Sequence, residues 1–589
     1  MEQFLAVDCN TVRMLCDLGV YEYVIVGSGI GGGILAEELA KKKRKVLLIE
    51  RGGPTFSTHI CNTARPDFSR GKDDSPEGNE VVYNTIKQRV QTAEDSEPYV
   101  GGPIYCLGGR SNIWGLWIPQ IDSDTLEEHF PKKISDDLQG YAYRNAFNLV
   151  TNHSQTDGIY PEGILSIDEL NEAKEALGRV LDGMILPGHS IGLGPIATEL
   201  ISPAPYRFPQ GAYSAVVPLL NRIYARDEYL TVLMDTEVLQ VNHGISDVEP
   251  NGASQETPNS RGRIPCDGLM YVKSLTIRTT SNKQINQICT ERSKVILCAG
   301  TIGTATIALN SGLQYCNPPD SSQKCHHSLV GKGLIDHEIW GVRFAKMRGD
   351  FPSKDPMNLQ CMIDICGSRA LLTVTINANF FLAGSTSLPI AEYWEVNPIV
   401  PMLPMDPEKG RRDIKNSSFD TIAVLIEFGA ELDNRNEVLK IPAPDPVIRI
   451  RRRHTHTDEE SQEEMQDLAT RIRNTVMYWL NPEPFRGGIP IELPKAPRLS
   501  LLGFGVFSHE VGTMRMDGPG NRPGVVDENL QVHGFSNLSV CDLSVFPYSP
   551  PANPTLTLTA LSLRLAQHLT AEGGDTRSES ESSDSSVQQ

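Results

Sequence analysis

Apolar and polar positions follow two different rhythms along this chain. Near the N-terminus a continuous apolar run, Tyr23–Val26, breaks into Gly27-Ser28-Gly29-Ile30-Gly31-Gly32. A helical spacing follows (Ile34, Leu35, Leu39), and a second apolar run, Val46–Ile49, ends at Glu50. Unbroken apolar runs of this length predict strands covered on both faces, as in a parallel sheet. Lys294–Gly300 reads the same way, a buried strand ending in a glycine turn ahead of a helix with Ile307, Ala308 and Leu309. Gly331–His337 then leaves that sheet. From about 340 to 500 the rhythm shortens. Leu371–Leu382 and Thr421–Phe428 alternate, which predicts a second, largely antiparallel sheet, and Asp458–Leu480 predicts a charged helix after it.

Between these regions, residues 121–200 read as amphipathic helices. Ser166–Leu181 is the clearest, with Ser166 and Glu169 at capping-box spacing. Thr231–Val241 has strand character and precedes a polar loop at 244–265. Residues 54–100 form a polar, proline-punctuated excursion. No internal repeat is visible, and the acidic end from 571 to 589 has the composition of a disordered tail.

The first stretch has the order that a dinucleotide fold requires. Gly27 permits the tight turn, Gly29 lets backbone approach a pyrophosphate, and Gly32 lets helix and strand pack closely. The helix N-terminus offers unpaired N–H groups to the phosphates. Glu50, 18 positions after Gly32, stands where an acid would hold ribose hydroxyls, and its charge disfavours a 2′-phosphate. A second glycine-dense stretch, Gly108-Gly109-Arg110-Ser111-Asn112-Ile113-Trp114-Gly115, suits either a tight surface loop or backbone drawn against a flat ligand.

At 589 residues the chain exceeds one hydrophobic core, so two or more domains are expected. A formal charge of −19 argues against nucleic acid or an anionic membrane as partner. There is no apolar run long enough to span a bilayer and no secretory pattern at the start, so a cytoplasmic location is expected. The 12 cysteines fit no metal template. His454 and His456, in Arg449–Asp458, read as a solvated basic edge rather than a metal pair, and no metal is expected.

Near the C-terminus, Ser508–Met516 is followed by Val525-Val526-Asp527, Asn537–Pro547 and Ala552–Thr557. The strand Leu538–Cys541 delivers Asp542 to its end, where a cofactor would lie. A helix opens near Pro554 and runs through Ala566, with Asn553 at a natural capping position. Taken alone, His509 could equally be a core histidine.

On GSGIGG…IERGG, GGRSNIWG, KVILCAGTIGTA, VGKGLIDH and HEVGTMRM…VVD…NLSVCDLSVFP…ANPTLT, the chain resembles the glucose–methanol–choline (GMC) oxidoreductases, a family of FAD flavoenzymes. ANPTLTLTALS and the tryptophan-bearing GG loop are most similar to its pyranose-oxidase-like branch. That resemblance implies an α/β fold: a Rossmann-like FAD-binding domain interleaved with a mainly antiparallel substrate sheet, a GMC or p-hydroxybenzoate-hydroxylase-like architecture. The FAD domain is expected from 1–55, 100–120, 205–335 and 500–570, and the substrate domain from 56–99, 121–204 and 336–499. Asp517 departs from the family's usual glycine after Arg-Met.

The resemblance also implies roles. His509 matches the catalytic histidine and Asn553 its partner. Gly27, Gly29, Gly32, Glu50, Gly109, Ser111, Asn112, Trp114, Val238, Ala299, Gly300, Asp542, Asn553, Pro554 and Thr555 would contact FAD. Ile113 stands where the branch often has a flavin-linking histidine, which implies a non-covalent cofactor. A neutral imidazole can take the hydroxyl proton of an alcohol, and an amide can hold its oxygen at any pH. The expected activity is oxidation of a CH–OH group of a small molecule, a sugar or specialised-metabolite alcohol, with oxygen or another electron acceptor. A non-redox lyase resembling the hydroxynitrile lyases is the alternative.

Overall fold

The computed structural model describes residues 8–62, 86–151, 167–197, 212–245, 269–315, 327–345, 357–376, 421–440, 445–451, 455–480, 485–486, 489–490 and 498–572. Its centre is a five-stranded, all-parallel sheet in the order Leu538–Val540, Lys294–Leu297, Tyr23–Val26, Val46–Ile49, Leu230–Leu233. Every residue of Tyr23–Val26 and Val46–Ile49 is buried, because helices cover the sheet. Helix Ile30–Lys41 lies between the first two strands in sequence and packs against Thr555–Glu572. Tyr23 donates its hydroxyl to the Leu569 carbonyl at 3.0 Å, tying the last helix to the first strand.

The second large sheet has six strands in the order Ser500–Leu501, Glu338–Ala345, Thr421–Phe428, Ser368–Ile376, Met357–Ile365, Gly192–Leu193, all antiparallel. Its alternation divides two faces. Leu359, Cys361, Leu372, Val374, Val424 and Ile426 pack under helices Ile167–Val180 and Glu459–Leu480. The opposite face carries Met362 and Leu371, which belong to the core of the parallel-sheet half. The fold is thus the α/β combination of a Rossmann-like sheet and an antiparallel sheet that the apolar patterns predict.

Some expectations change. Thr231–Val241 is not one strand: Leu230–Leu233 ends the parallel sheet, and Thr236–Ile245 opens an antiparallel sheet with Met270–Thr279 and Ile285–Cys289. The chain turns at Asp235, whose φ of +51° breaks the run. Strand Thr236–Ile245 also takes the first residues of the loop expected at 244–265; residues 246–268 lie outside the described residues. The final helix continues to Glu572, so Ala571 and Glu572 are not tail, and 573–589 lie outside the description. So do Ser166 of the capping box, the end of the 371–382 run, His454, and residues 63–85 of the polar excursion.

His456 is not a solvated edge. It is buried, with Nδ1 3.2 Å from Glu338 Oε1, Nε2 3.1 Å from Ser368 Oγ, and its ring stacked on Phe428. A basic run in sequence gives no hint of a carboxylate 118 positions earlier.

Candidate functional site

A large cavity runs along the C-terminal edge of the parallel sheet, with some 1890 Å³ of atom-free space that is partly open to solvent. Ligands of open α/β sheets bind at this edge, beyond the carboxyl ends of the strands. Gly27, Gly29, Glu50, Gly109, Ser111, Trp114, Val238, Ala299, Gly300, His509, Asp542, Asn553 and Thr555 all line it. Segments more than 500 positions apart in the chain therefore share one hollow.

The glycines divide the work. Gly27 has φ +100°, and a Cβ there would stand 2.3 Å from the Cys298 carbonyl. At Gly32 a Cβ would sit 2.0 Å from the Gly27 carbonyl, so this residue packs the helix down and does not line the cavity. Gly29 and Gly300 have no heavy atom within 4 Å of a Cβ position and open onto the cavity.

Glu50 is buried and accepts from Ser28 N (3.0 Å) and Ser28 Oγ (2.6 Å) on one oxygen and from Gly52 N (2.9 Å) on the other. Burial pushes its carboxyl up, and those donors pull it back. Ser28 Oγ in turn accepts from Gly108 N at 3.0 Å, joining the first glycine turn to the second. Asp542 is likewise pushed up by burial and held by Ser544 N and Gly300 N, both at 2.9 Å, and by Thr304.

Two expected cofactor contacts point elsewhere. Asn112 is spent inside its own loop, donating to Leu107 O (2.8 Å) and Gly109 O (3.0 Å) and accepting from Ser214 Oγ (2.7 Å). Pro554 starts the last helix, its carbonyl accepting from Leu558 N; neither residue lines the cavity. Ile113 is buried among Ile60, Ile104 and Cys106.

At the far end of the cavity His509 is half-buried, with Nε2 3.4 Å from Asn553 Nδ2 and Nδ1 2.8 Å from His337 Nε2. Burial, then His337, then Arg110 push its imidazole well below the ordinary histidine range, so it is neutral at physiological pH. Asn553 does not act as the helix cap its position suggests: its Oδ1 is buried with no hydrogen-bond partner among the described residues. Asp336, His337 and His509 form the one metal-sized grouping among the described residues. Two nitrogens on one tetrahedral zinc would lie roughly 3.3 Å apart at ~2.05 Å bonds. The 2.8 Å contact between the imidazoles is a hydrogen bond.

A clamp holds the His509 loop. Arg110 donates to Ser508 O (2.9 Å) and to Glu510 Oε2 (3.0 Å), Tyr99 donates to the other oxygen of Glu510, and Thr301 Oγ1 donates to the Glu510 carbonyl. Sequence reading missed Arg110, Glu510 and His337 as functional neighbours, although all three stand inside the quoted motifs.

A family model described as GMC oxidoreductase matches residues 438–562, and one for an NAD(P)-binding Rossmann-like domain matches 25–64. The oxygen-dependent choline dehydrogenases of Staphylococcus aureus strains MSSA476 and JH9 are each 23% identical over 577 residues, covering 90% of this chain and 90% of theirs. The crystal structure of pyridoxine 4-oxidase from Mesorbium loti matches with a TM-score of 0.54 at 16% identity, covering 94% of this chain and 99% of that one; this likeness concerns the fold. Taken with the glycine turns and the C-terminal motifs around the cavity, these matches make the chain similar to the GMC oxidoreductases, whose family model it matches over residues 438–562.

Proposed function

We propose that this protein is an FAD-dependent oxidoreductase that oxidises a CH–OH group of a small molecule, with His509 as the base. The observation that carries the reading is a half-buried, neutral imidazole 3.4 Å from an amide, at one end of a cavity whose other end is a glycine turn closed by a carboxylate.

The donor set suits a flavin dinucleotide. Gly29 and the start of helix Ile30–Lys41 offer open backbone N–H groups to a pyrophosphate. Glu50 would hold the ribose of the adenosine half, and Val238 would meet its base. Gly109, Ser111 and Trp114 would hold the flavin ring, and Ala299, Gly300, Asp542 and Thr555, which line the same cavity, would hold the rest of the cofactor. Ile113 offers no nucleophile, so no covalent flavin link forms at this position. Bound FAD supplies a two-electron hydride acceptor.

The protein's own residues do the rest. Asn553 orients the alcohol oxygen, and His509 Nε2 takes the hydroxyl proton. Burial keeps His509 unprotonated and therefore able to accept at neutral pH. Arg110 and Thr301 hold the His509 loop, so that the imidazole meets the substrate in one geometry.

The test is anaerobic mixing of the holoenzyme with choline and pyridoxine, the compounds named by the relatives, and with benzyl alcohol and glucose, scored by flavin bleaching. His509→Ala is expected to retain flavin and to slow bleaching by about 10³-fold or more. Undiminished bleaching in that variant would remove His509 from the chemistry. A holoenzyme that bleaches with none of many alcohols yet cleaves a cyanohydrin would favour the lyase.

A further inference from the structure

The partner of His509 on the side away from the cavity is set by backbone register. Ile335 and Val511 pair as an antiparallel bridge, each N–H bonded to the other's carbonyl at 3.2 and 2.8 Å. Two positions outward in opposite directions, that register sets His337 against His509, on the same side of the ribbon. Gly331 (φ +78°) and Gly333 (φ +82°) turn the chain into this position. The two rings end 4.9 Å apart, tilted by 56°, with the Nε2···Nδ1 contact at 2.8 Å.

A neutral imidazole has one N–H and one lone pair. The Asn553 Nδ2 group can only donate, so its approach to His509 Nε2 calls for the lone pair at Nε2. The proton of His509 then sits on Nδ1, and the nitrogen facing it, His337 Nε2, must accept. We infer that His337 is a positioning residue that holds His509 in its Nδ1–H tautomer, leaving the Nε2 lone pair turned to the cavity.

The inference rests on the reading of His509 as the base. When Nε2 gains a proton, the Nδ1–H bond to His337 persists, while the Asn553 amide gives up its contact with that nitrogen. The Asp336 carboxyl lies 3.8 Å from His337 Nε2 and is tied to the Gly505 N–H at 3.1 Å, so it stands by the pair as positive charge develops. In the other tautomer Nε2 carries the hydrogen and His509 has no lone pair for the substrate. A wrongly placed imidazole proton typically costs about 10²–10⁴-fold in turnover.

The deciding measurement needs no substrate. In holoenzyme labelled with ¹⁵N-histidine, long-range ¹H–¹⁵N spectra distinguish the tautomers, and loss of one pattern in His509→Gln assigns His509. We expect Nδ1–H for His509, a shift toward Nε2–H in His337→Phe, which keeps a ring but no acceptor, and retention of Nδ1–H in His337→Gln, whose amide oxygen can accept. An Nε2–H pattern in the unsubstituted protein, or an unchanged pattern in His337→Phe, would overturn the inference. Should His337→Phe fail to fold, the unsubstituted protein and His337→Gln still decide it. Bleaching by the alcohols above should fall about 100-fold in kcat for His337→Phe, with KM within about threefold, and recover to within about tenfold in His337→Gln. If His509→Ala bleaches normally while the Nδ1–H pattern stands, the proposed function fails and the tautomer assignment survives.

Discussion

The six-stranded sheet meets two different environments on its two faces, and the contrast is concentrated in adjacent residues. His337 and Glu338, at the start of one strand, point to opposite sides. On the cavity side His337 meets another imidazole at 2.8 Å, with the Asp336 carboxyl 3.8 Å from its Nε2, and Glu427 has Thr373 as its hydrogen-bonding neighbour. On the helix-covered side Glu338 is met by Thr455 N (2.8 Å), His456 N (3.3 Å), His456 Nδ1 (3.2 Å) and Trp340 Nε1 (2.8 Å). Both sites are buried, so burial alone does not decide charge. Although burial pushes the Glu338 carboxyl up, its donors bring it down to about 2. Burial with Thr373 as its hydrogen-bonding neighbour leaves Glu427 pushed up to about 8. One face stores a satisfied charge for stability, and the other keeps the Glu427 carboxyl neutral.

The largest effect should come from removing the satisfied charge. Glu338→Ala strands the indole N–H, two backbone N–H groups and His456, and is expected to cost about 4 kcal/mol in urea unfolding. Flavin bleaching per bound flavin should stay within about threefold, since that carboxyl faces away from the cavity. A small loss of stability, or a large loss of bleaching in a well-folded variant, would break the division between faces.

Next in size are two pH dependences of opposite sign. Glu338 has its folded value below the ordinary 4.5, so its stabilisation is complete above that value and is lost as pH falls from about 4.5 toward 2. Glu427 has its folded value raised, so its contribution is complete below 4.5 and is lost as pH rises toward 8. Each arm is expected to be worth about 2 kcal/mol once relaxation is allowed for. Melting temperature against pH should lose its acid arm in Glu338→Gln and its neutral-to-alkaline arm in Glu427→Gln. If either substitution flattened the wrong side, the assignment of charge to the two faces would be reversed.

The same contrast explains what could be read from the chain. The parallel-sheet half was legible because glycine demands are local: Gly27, Gly29 and Gly32 are required by turn, cavity and packing within six positions, and Glu50 follows one helix later. His509 and Asn553 were legible only through family resemblance, since nothing local distinguishes a core histidine or a capping asparagine from the pair that meets at 3.4 Å. The partnerships on the six-stranded sheet were not legible. His337 reaches His509 across 172 positions and Glu338 reaches His456 across 118, both through long-range register that no short window encodes. Asp235 failed for a different reason: one residue with positive φ divides an apolar run that otherwise reads as a single strand.

The smallest effect sharpens the cavity face alone. Thr373 stands diagonal to Glu427 on the neighbouring strand, two positions from its direct partner Leu371, and also receives Gln360 Nε2 at 3.2 Å. Thr373→Val keeps the shape and removes the hydroxyl, for a loss of about 1 kcal/mol at pH 5. The hydroxyl also holds the Glu427 carboxyl lower than burial alone would, so its removal raises that group further. Stability should then be lost over a window that still opens near 4.5 but extends past 8, and the gap to the unsubstituted protein should widen as pH rises. In a Glu427→Gln background the widening should vanish while the loss at pH 5 remains. A gap that is constant with pH would mean that Thr373 acts on packing only, and that Glu427 is kept neutral by its surroundings without help from its neighbour.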